Sequence, residues 1–165
     1  MIRRPRHDRD LSRAELELAA VDLLGRPEEW QEHVFHDPTG ARTYHQLHLD
    51  DHVVAWLICW SDGNDTGFHD HDESHGAVGV AAGQVREETL ALNGAPAVRE
   101  VTAGGVFSFD ATDIHRVLHI GDDAAVTLHL YSPPLRRMGS YEVLADGRLA
   151  RRSISAEQEL SPAAS

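Results

Sequence analysis

From Tyr44 to Arg152 the chain is a succession of short extended segments cut by turn residues, and this rhythm restricts the fold more than any other feature. Residues 53–60 form a nearly unbroken apolar run rich in branched and aromatic side chains, the pattern of a strand buried on both faces. Further strands are predicted over 68–71, 76–85, 87–92, 97–101, 106–109, 114–119, 124–132, 141–144 and 148–152. Turn sequences separate them, among them Ser61-Asp62-Gly63-Asn64-Asp65, Asn93-Gly94, Gly104-Gly105, Gly121-Asp122 and Asp146-Gly147. Many short strands at this spacing give a mainly β fold, a small antiparallel barrel or jelly roll. The interior of such a barrel holds side chains or one small ligand.

Helical signals precede the strands. Ser12-Arg13-Ala14-Glu15 reads as a capping box, with Leu11 and Leu16 as its staple and an apolar stripe at Leu16, Ala19, Ala20, Leu23 and Leu24. Gly25 closes this helix, and Pro27 opens a second short one through Trp30 to about Val34. The 165 residues suit one domain, divided into a helical segment at 1–40 packed on the barrel, the barrel at 41–154, and a flexible tail at 155–165. A formal net charge of −12 opposes phosphate backbones and anionic lipid, so neither nucleic acid nor a membrane is an expected partner. The basic start, Met1-Ile2-Arg3-Arg4-Pro5-Arg6, has no apolar region behind it and does not read as a secretory signal, so a cytoplasmic location is expected.

Gly67-Phe68-His69-Asp70-His71 places two histidines one residue apart on an extended segment, where alternate side chains share a face and their imidazoles can meet one metal ion. His115, at the start of a later strand, supplies a third. Three neutral nitrogen ligands suit iron, zinc, copper or nickel and leave coordination positions open. A closed structural zinc site normally includes thiolates, and the sequence has a single cysteine, Cys59, inside the apolar run. Asp70 is expected to point away from such a metal and to orient a strand or a histidine. Thr127, His129 and Tyr131 also alternate along one strand, a file of hydroxyl, imidazole and phenol that can pass hydrogen bonds along one wall. His119, four positions after His115, is the candidate to support a ligand.

Taken together, His69-Asp70-His71-Asp72-Glu73-Ser74-His75-Gly76, His115-Arg116-Val117 and Thr127-Leu128-His129-Leu130-Tyr131-Ser132-Pro133-Pro134 resemble the motifs of the cysteine dioxygenase family, thiol dioxygenases of the cupin superfamily. The similarity runs from about Tyr44 to Pro134. It implies a single-domain cupin with one Fe(II) per chain on His69, His71 and His115, and Tyr131 as the active-site tyrosine supported by His129 and Thr127. Small thiol and O2 are the implied reactants, and a sulfinic acid the implied product. The sequence departs from the pattern in three places. Gly76 stands where animal members carry a cysteine crosslinked to the tyrosine, so Tyr131 is expected unmodified. Thr127 replaces a serine. Gln46, in Tyr44-His45-Gln46-Leu47, takes the place of an arginine that binds the carboxylate of cysteine, which favours 3-mercaptopropionate or a related thiol. Arg136 and Arg137, just beyond Pro134, are candidates for the missing positive charge. The alternative function class is a metal-binding cupin without oxidative chemistry, an isomerase, hydrolase or ligand-sensing module; metal content and oxygen uptake separate the two. The oligomeric state stays open between monomer and homodimer.

Overall fold

The computed structural model describes residues 6–156. The helix α1 (Arg13–Leu24) is followed by two single 3-10 turns at Pro27–Glu29 and Gln31–His33, where a second short helix is predicted. The capping box forms as predicted: the Ser12 amide donates to Glu15 Oε2 at 2.8 Å and the Glu15 amide donates back to Ser12 Oγ at 3.4 Å.

Eleven strands follow: β1 (Thr43–Leu49), β2 (Val54–Trp60), β3 (His69–Asp70), β4 (His75–Ala82), β5 (Gln84–Thr89), β6 (Ala97–Thr102), β7 (Val106–Phe109), β8 (His115–Ile120), β9 (Ala125–Ser132), β10 (Arg137–Val143) and β11 (Leu149–Ser155). They form two sheets, ordered β1-β2-β9-β4-β7 and β11-β10-β3-β8-β5-β6, with every pairing antiparallel. The predicted strand at 76–85 is divided by Gly83, which has φ +69°; a Cβ there would come within 2.6 Å of the Ala124 carbonyl oxygen, so only glycine makes the turn from β4 to β5. Ser155 ends β11 and Ala156 is buried, so the start of the predicted tail is part of the fold; the rest of it lies outside the described residues.

Strand alternation sorts the apolar residues into two layers. On β2 and β9, Ala55, Leu57, Cys59, Val126, Leu128 and Leu130 face outward and pack under Leu16, Ala20 and Leu23 of α1. Removing each of those two fully buried leucine side chains from water contributes about 1.5–3 kcal/mol. Cys59 is therefore packing beneath a helix. The opposite faces of the same strands, through Val54, Ile58, Trp60 and Tyr131, meet Val85, Val117 and Met138 of the second sheet, and this inter-sheet layer holds the cavity. The helix thus covers the back of the five-stranded sheet and leaves the cavity between the sheets. Among the described residues no helix is long and apolar enough to cross a membrane.

Candidate metal centre

His69 and Asp70 are the whole of β3, a two-residue strand held between β10 and β8. Its register sets His69 opposite His115, the first residue of β8. The side chain of Asp70 faces away and anchors the strand. Its Oδ1 accepts from the amides of Asp72 and Gly139, and its Oδ2 accepts from Tyr141 Oη at 2.6 Å and Arg151 Nε at 2.8 Å. Burial raises the Asp70 carboxyl, but Arg151 and Tyr141 outweigh this and hold it well below the usual carboxylate range. The expectation that Asp70 orients its strand is thus met through identified partners. Asp72 then takes φ +57°, a left-handed conformation uncommon outside glycine, as the chain leaves His71.

The strands bring His69, His71 and His115 together, with ring centroids 4.8, 4.8 and 4.9 Å apart and one ring nitrogen of each lying within 4.8 Å of the others. All three are buried. His69 donates from Nδ1 to the Gly67 carbonyl at 2.9 Å, and His115 donates from Nδ1 to Glu87 Oε1 at 2.7 Å, so both present Nε2 as a lone pair. Neither ring nitrogen of His71 has a hydrogen-bond partner. Burial, then the neighbouring His115, pushes His69 down to about 3, and burial with the other histidines takes His71 well below its ordinary value. His69 and His71 are therefore neutral at physiological pH, as ligation requires. Phe109 of β7 stacks on His71 with centroids 4.4 Å apart and braces the ring.

The opposite wall is β9. Trp60 Nε1 donates to Thr127 Oγ1 at 2.7 Å, Thr127 Oγ1 lies 2.8 Å from His129 Nε2, and His129 Nδ1 lies 3.1 Å from Tyr131 Oη. An indole nitrogen only donates, so Thr127 accepts from Trp60 and keeps its own hydroxyl proton to pass on. It gives that proton to His129 Nε2; His129, neutral because burial pushes it down to about 3, carries its proton on Nδ1 and donates to Tyr131. The Tyr131 oxygen accepts on its strand side, which orients it as a donor toward the cavity its ring lines. The file predicted from alternation is present, and Trp60 extends it.

The cavity is lined by Arg42, Tyr44, Thr66, His69, His115, His129 and Tyr131, with Ile58, Phe109, Val117, Leu135 and Met138 as its apolar part. Gln46 does not line it. It shares the face of Tyr44 but sits two residues further on, about 7 Å along the strand, beyond the cavity and exposed to solvent. The cavity-facing cation on this edge is Arg42, two residues before Tyr44, whose guanidinium lies 5.6 Å from the Tyr44 ring centroid and 5.2 Å from that of Trp60. Its charge helps to lower both His69 and His129. Arg136 and Arg137 are exposed and line a separate outer groove with Asp51, Asp72, Glu73 and Ser74. That groove reaches the other side of His71, so the two arginines do not meet the cavity.

His119 is not the group that supports His115. It sits near the far end of β8, where its Nε2 lies 2.8 Å from the Asp123 carbonyl. The supporting residue is Glu87, buried on β5, whose other oxygen accepts from Arg99. Burial raises the Glu87 carboxyl, but His115 and Arg99 together bring it below its ordinary value. Sequence reasoning missed Glu87, although a glutamate in phase with the core residue Val85 was the available signal.

The family model described as cysteine dioxygenase type I matches residues 11–143. Cysteine dioxygenase type 1 of Danio rerio is 28% identical over 96 residues, which cover 52% of this chain and 48% of the relative. The Homo sapiens protein is 30% identical over 87 residues, covering 47% and 44%. The chain spans about half the length of the curated relatives it matches. Among solved structures, a Klebsiella pneumoniae protein with a double-stranded β-helix domain is similar with a TM-score of 0.55 at 13% identity, over 73% of this chain and 86% of that one. A cupin superfamily protein of Desulfitobacterium hafniense gives a TM-score of 0.53 at 12% identity, over 63% and 87%. The fold is that of a cupin, and, with the family model spanning both the histidine trio and the β9 file, the chain belongs to the cysteine dioxygenase type I family.

Proposed function

We propose that the chain is a thiol dioxygenase that holds one Fe(II) on His69, His71 and His115 and converts a small carboxylate-bearing thiol to its sulfinate with O2. The observation that carries this reading is the buried trio, two of whose rings, His69 and His115, line one cavity with the cation Arg42 and the hydrogen-bonded file that ends at Tyr131. The trio fits a metal. A ring nitrogen of the fully buried His71 that faces the other two histidines without a partner is costly unless something occupies that position, and three imidazoles are a donor set that iron accepts. Iron bound there supplies the redox chemistry that joins thiolate and dioxygen, RS⁻ + O2 giving RSO2⁻, with both oxygen atoms ending on sulfur.

The protein's own residues position the reactants. Arg42 offers the substrate carboxylate a charge-assisted hydrogen bond, and its contacts with Trp60 and Tyr44 hold the guanidinium in place. Ile58, Phe109, Val117, Leu135 and Met138 exclude water around the sulfur. Tyr131, with His129 behind it, donates its proton toward the reacting atoms. Among the described residues no aspartate or glutamate lines the cavity, so nothing there pairs with the ammonium of cysteine. A thiol with a carboxylate and no amine, of the 3-mercaptopropionate kind, suits this lining best: Arg42 serves the carboxylate of either thiol, and the lack of a cavity carboxylate for an ammonium, rather than the absence of an arginine at position 46, is the basis for the preference.

The test compares kcat/KM for 3-mercaptopropionate, cysteine and cysteamine under air with Fe(II)-loaded protein. The order is expected to fall in that sequence, and Arg42→Leu should lower it by about 10–100-fold for the two carboxylates, the loss of a charged hydrogen bond of about 1.5–3 kcal/mol, while sparing cysteamine. Equal use of cysteamine by the unaltered protein removes Arg42 from substrate binding. Absence of oxygen uptake with every thiol refutes the dioxygenase reading, and stoichiometric iron in His71→Ala refutes the ligand set.

A further inference from the structure

Among the described residues, Glu87 is the one carboxylate hydrogen-bonded to a ring of the histidine trio. It is 2% exposed, an unusual burial for a glutamate. Oε1 receives the His115 Nδ1 proton at 2.7 Å, and Oε2 receives Arg99 Nε at 3.0 Å and Nη2 at 2.6 Å. Every partner of the side chain is a donor, so it accepts on both oxygens as a carboxylate. Arg99 faces Glu87 across the β5–β6 register, with its side chain half exposed and its guanidinium 5.3 Å from the Phe107 ring centroid. From solvent inward the order is cation, carboxylate, imidazole, metal position. We infer that Glu87 and Arg99 act as an opposed pair that sets the electron donation of the His115 ligand. Glu87 draws on the Nδ1 proton and makes Nε2 a stronger donor; Arg99 withdraws part of that negative charge. The trio contains no carboxylate ligand, and Glu87 brings one negative charge to the centre through a single imidazole. Both are positioning residues, acting through His115.

A purely structural ion pair between β5 and β6 makes a different prediction from this one, because loss of either partner then disturbs the centre in the same sense. The experiment, which rests on the metal-centre reading above, measures Fe(II) affinity by chelator competition and the Fe(III)/Fe(II) potential for the unaltered protein, Glu87→Gln and Arg99→Gln. Glu87→Gln keeps the shape and an acceptor oxygen but loses the charge; it should weaken Fe(II) binding about 10–100-fold, the usual cost of removing a ligand's supporting carboxylate, and raise the potential. Arg99→Gln leaves the carboxylate charge wholly to His115 and should lower the potential without weakening Fe(II) binding. Shifts of the potential in the same direction, or affinity and potential unchanged in Glu87→Gln, overturn the inference. Should Glu87→Gln fail to fold, Arg99→Gln decides alone, with an unchanged or raised potential counting against it. An unaltered protein that binds no Fe(II) instead removes the metal-centre reading itself.

Discussion

Thr127→Val removes one hydroxyl and keeps the shape of the side chain, and its cost can be worked from the hydrogen-bond chain. Thr127 is fully buried between Trp60 Nε1 at 2.7 Å and His129 Nε2 at 2.8 Å, and both neighbours are themselves buried. Valine satisfies neither. Leaving a buried polar group without a partner costs about 1–3 kcal/mol, so two of them cost about 2–6 kcal/mol. Thr127→Ser keeps the hydroxyl and loses one methyl, about 0.8 kcal/mol. The isosteric variant should therefore be the less stable of the two, the reverse of what packing alone gives. Urea unfolding of metal-free protein reads this as a lowered midpoint at unchanged slope. The valine variant also frees His129 to carry its proton on Nε2, and Tyr131 then loses the acceptor role that orients its own proton. Sulfinate formed per O2 consumed should fall with Thr127→Val and hold with Thr127→Ser. A valine variant as stable as the unaltered protein, or more stable than the serine variant, refutes the directed chain.

Three further outcomes are expected. Tyr131→Phe should retain stoichiometric iron and lose sulfinate formation by about 10²–10⁴-fold, the usual weight of one positioned proton donor; iron content and oxygen uptake on one preparation check it. Gly76→Ala should destabilise the protein by about 1–3 kcal/mol, since the added Cβ collides with the Phe109 ring that braces His71, and thermal unfolding reads the loss. Burial raises Asp50, but the amides of His7 and His52, with the rings of His48 and His7, outweigh it and hold this carboxylate far below its ordinary range. A depressed carboxyl contributes stability that is present above its unfolded value near pH 4 and lost as pH falls below it, so Asp50→Asn should flatten the acid limb of a stability-versus-pH curve below about pH 4.

Features set by side-chain alternation were legible in the sequence. The capping box, the apolar stripe of α1, the strand at 54–60, the facing of His69 with His71 and the file of Thr127, His129 and Tyr131 all depend on residues close in sequence. What depended on register between strands was not. Gln46 was singled out by matching Tyr44-His45-Gln46-Leu47 to the family's segment, which does not display how far along β1 the cavity extends, and the cation that lines it is Arg42. The support of His115 was sought on its own strand at His119, whereas it comes from the neighbouring strand β5, through a pairing that sequence does not display. Gly83 was read inside a strand because the Gly turn is too short to interrupt an apolar pattern.

The two sheets divide the chemistry between them. The six-stranded sheet supplies the trio through β3 and the start of β8, with the third histidine on the turn after β3, and it stiffens them from behind with Asp70 on one side and Glu87 on the other. The five-stranded sheet supplies the hydrogen-bond file, whose outer side is packed on α1 through Val126, Leu128 and Leu130. Most of what fixes each wall lies within its own sheet, hydrogen bonds to Asp70 and Glu87 for the ligands and apolar packing with a buried indole donor for the phenol, while Phe109 of β7 reaches across to stack on His71. Interaction energies between groups with no shared partner usually add. A change behind one wall, such as Glu87→Gln, should therefore alter metal binding without disturbing the Trp60–Thr127–His129 chain, and Thr127→Val should do the converse. Non-additive loss of stability in the metal-free double variant would mean that the two walls are coupled through the inter-sheet core.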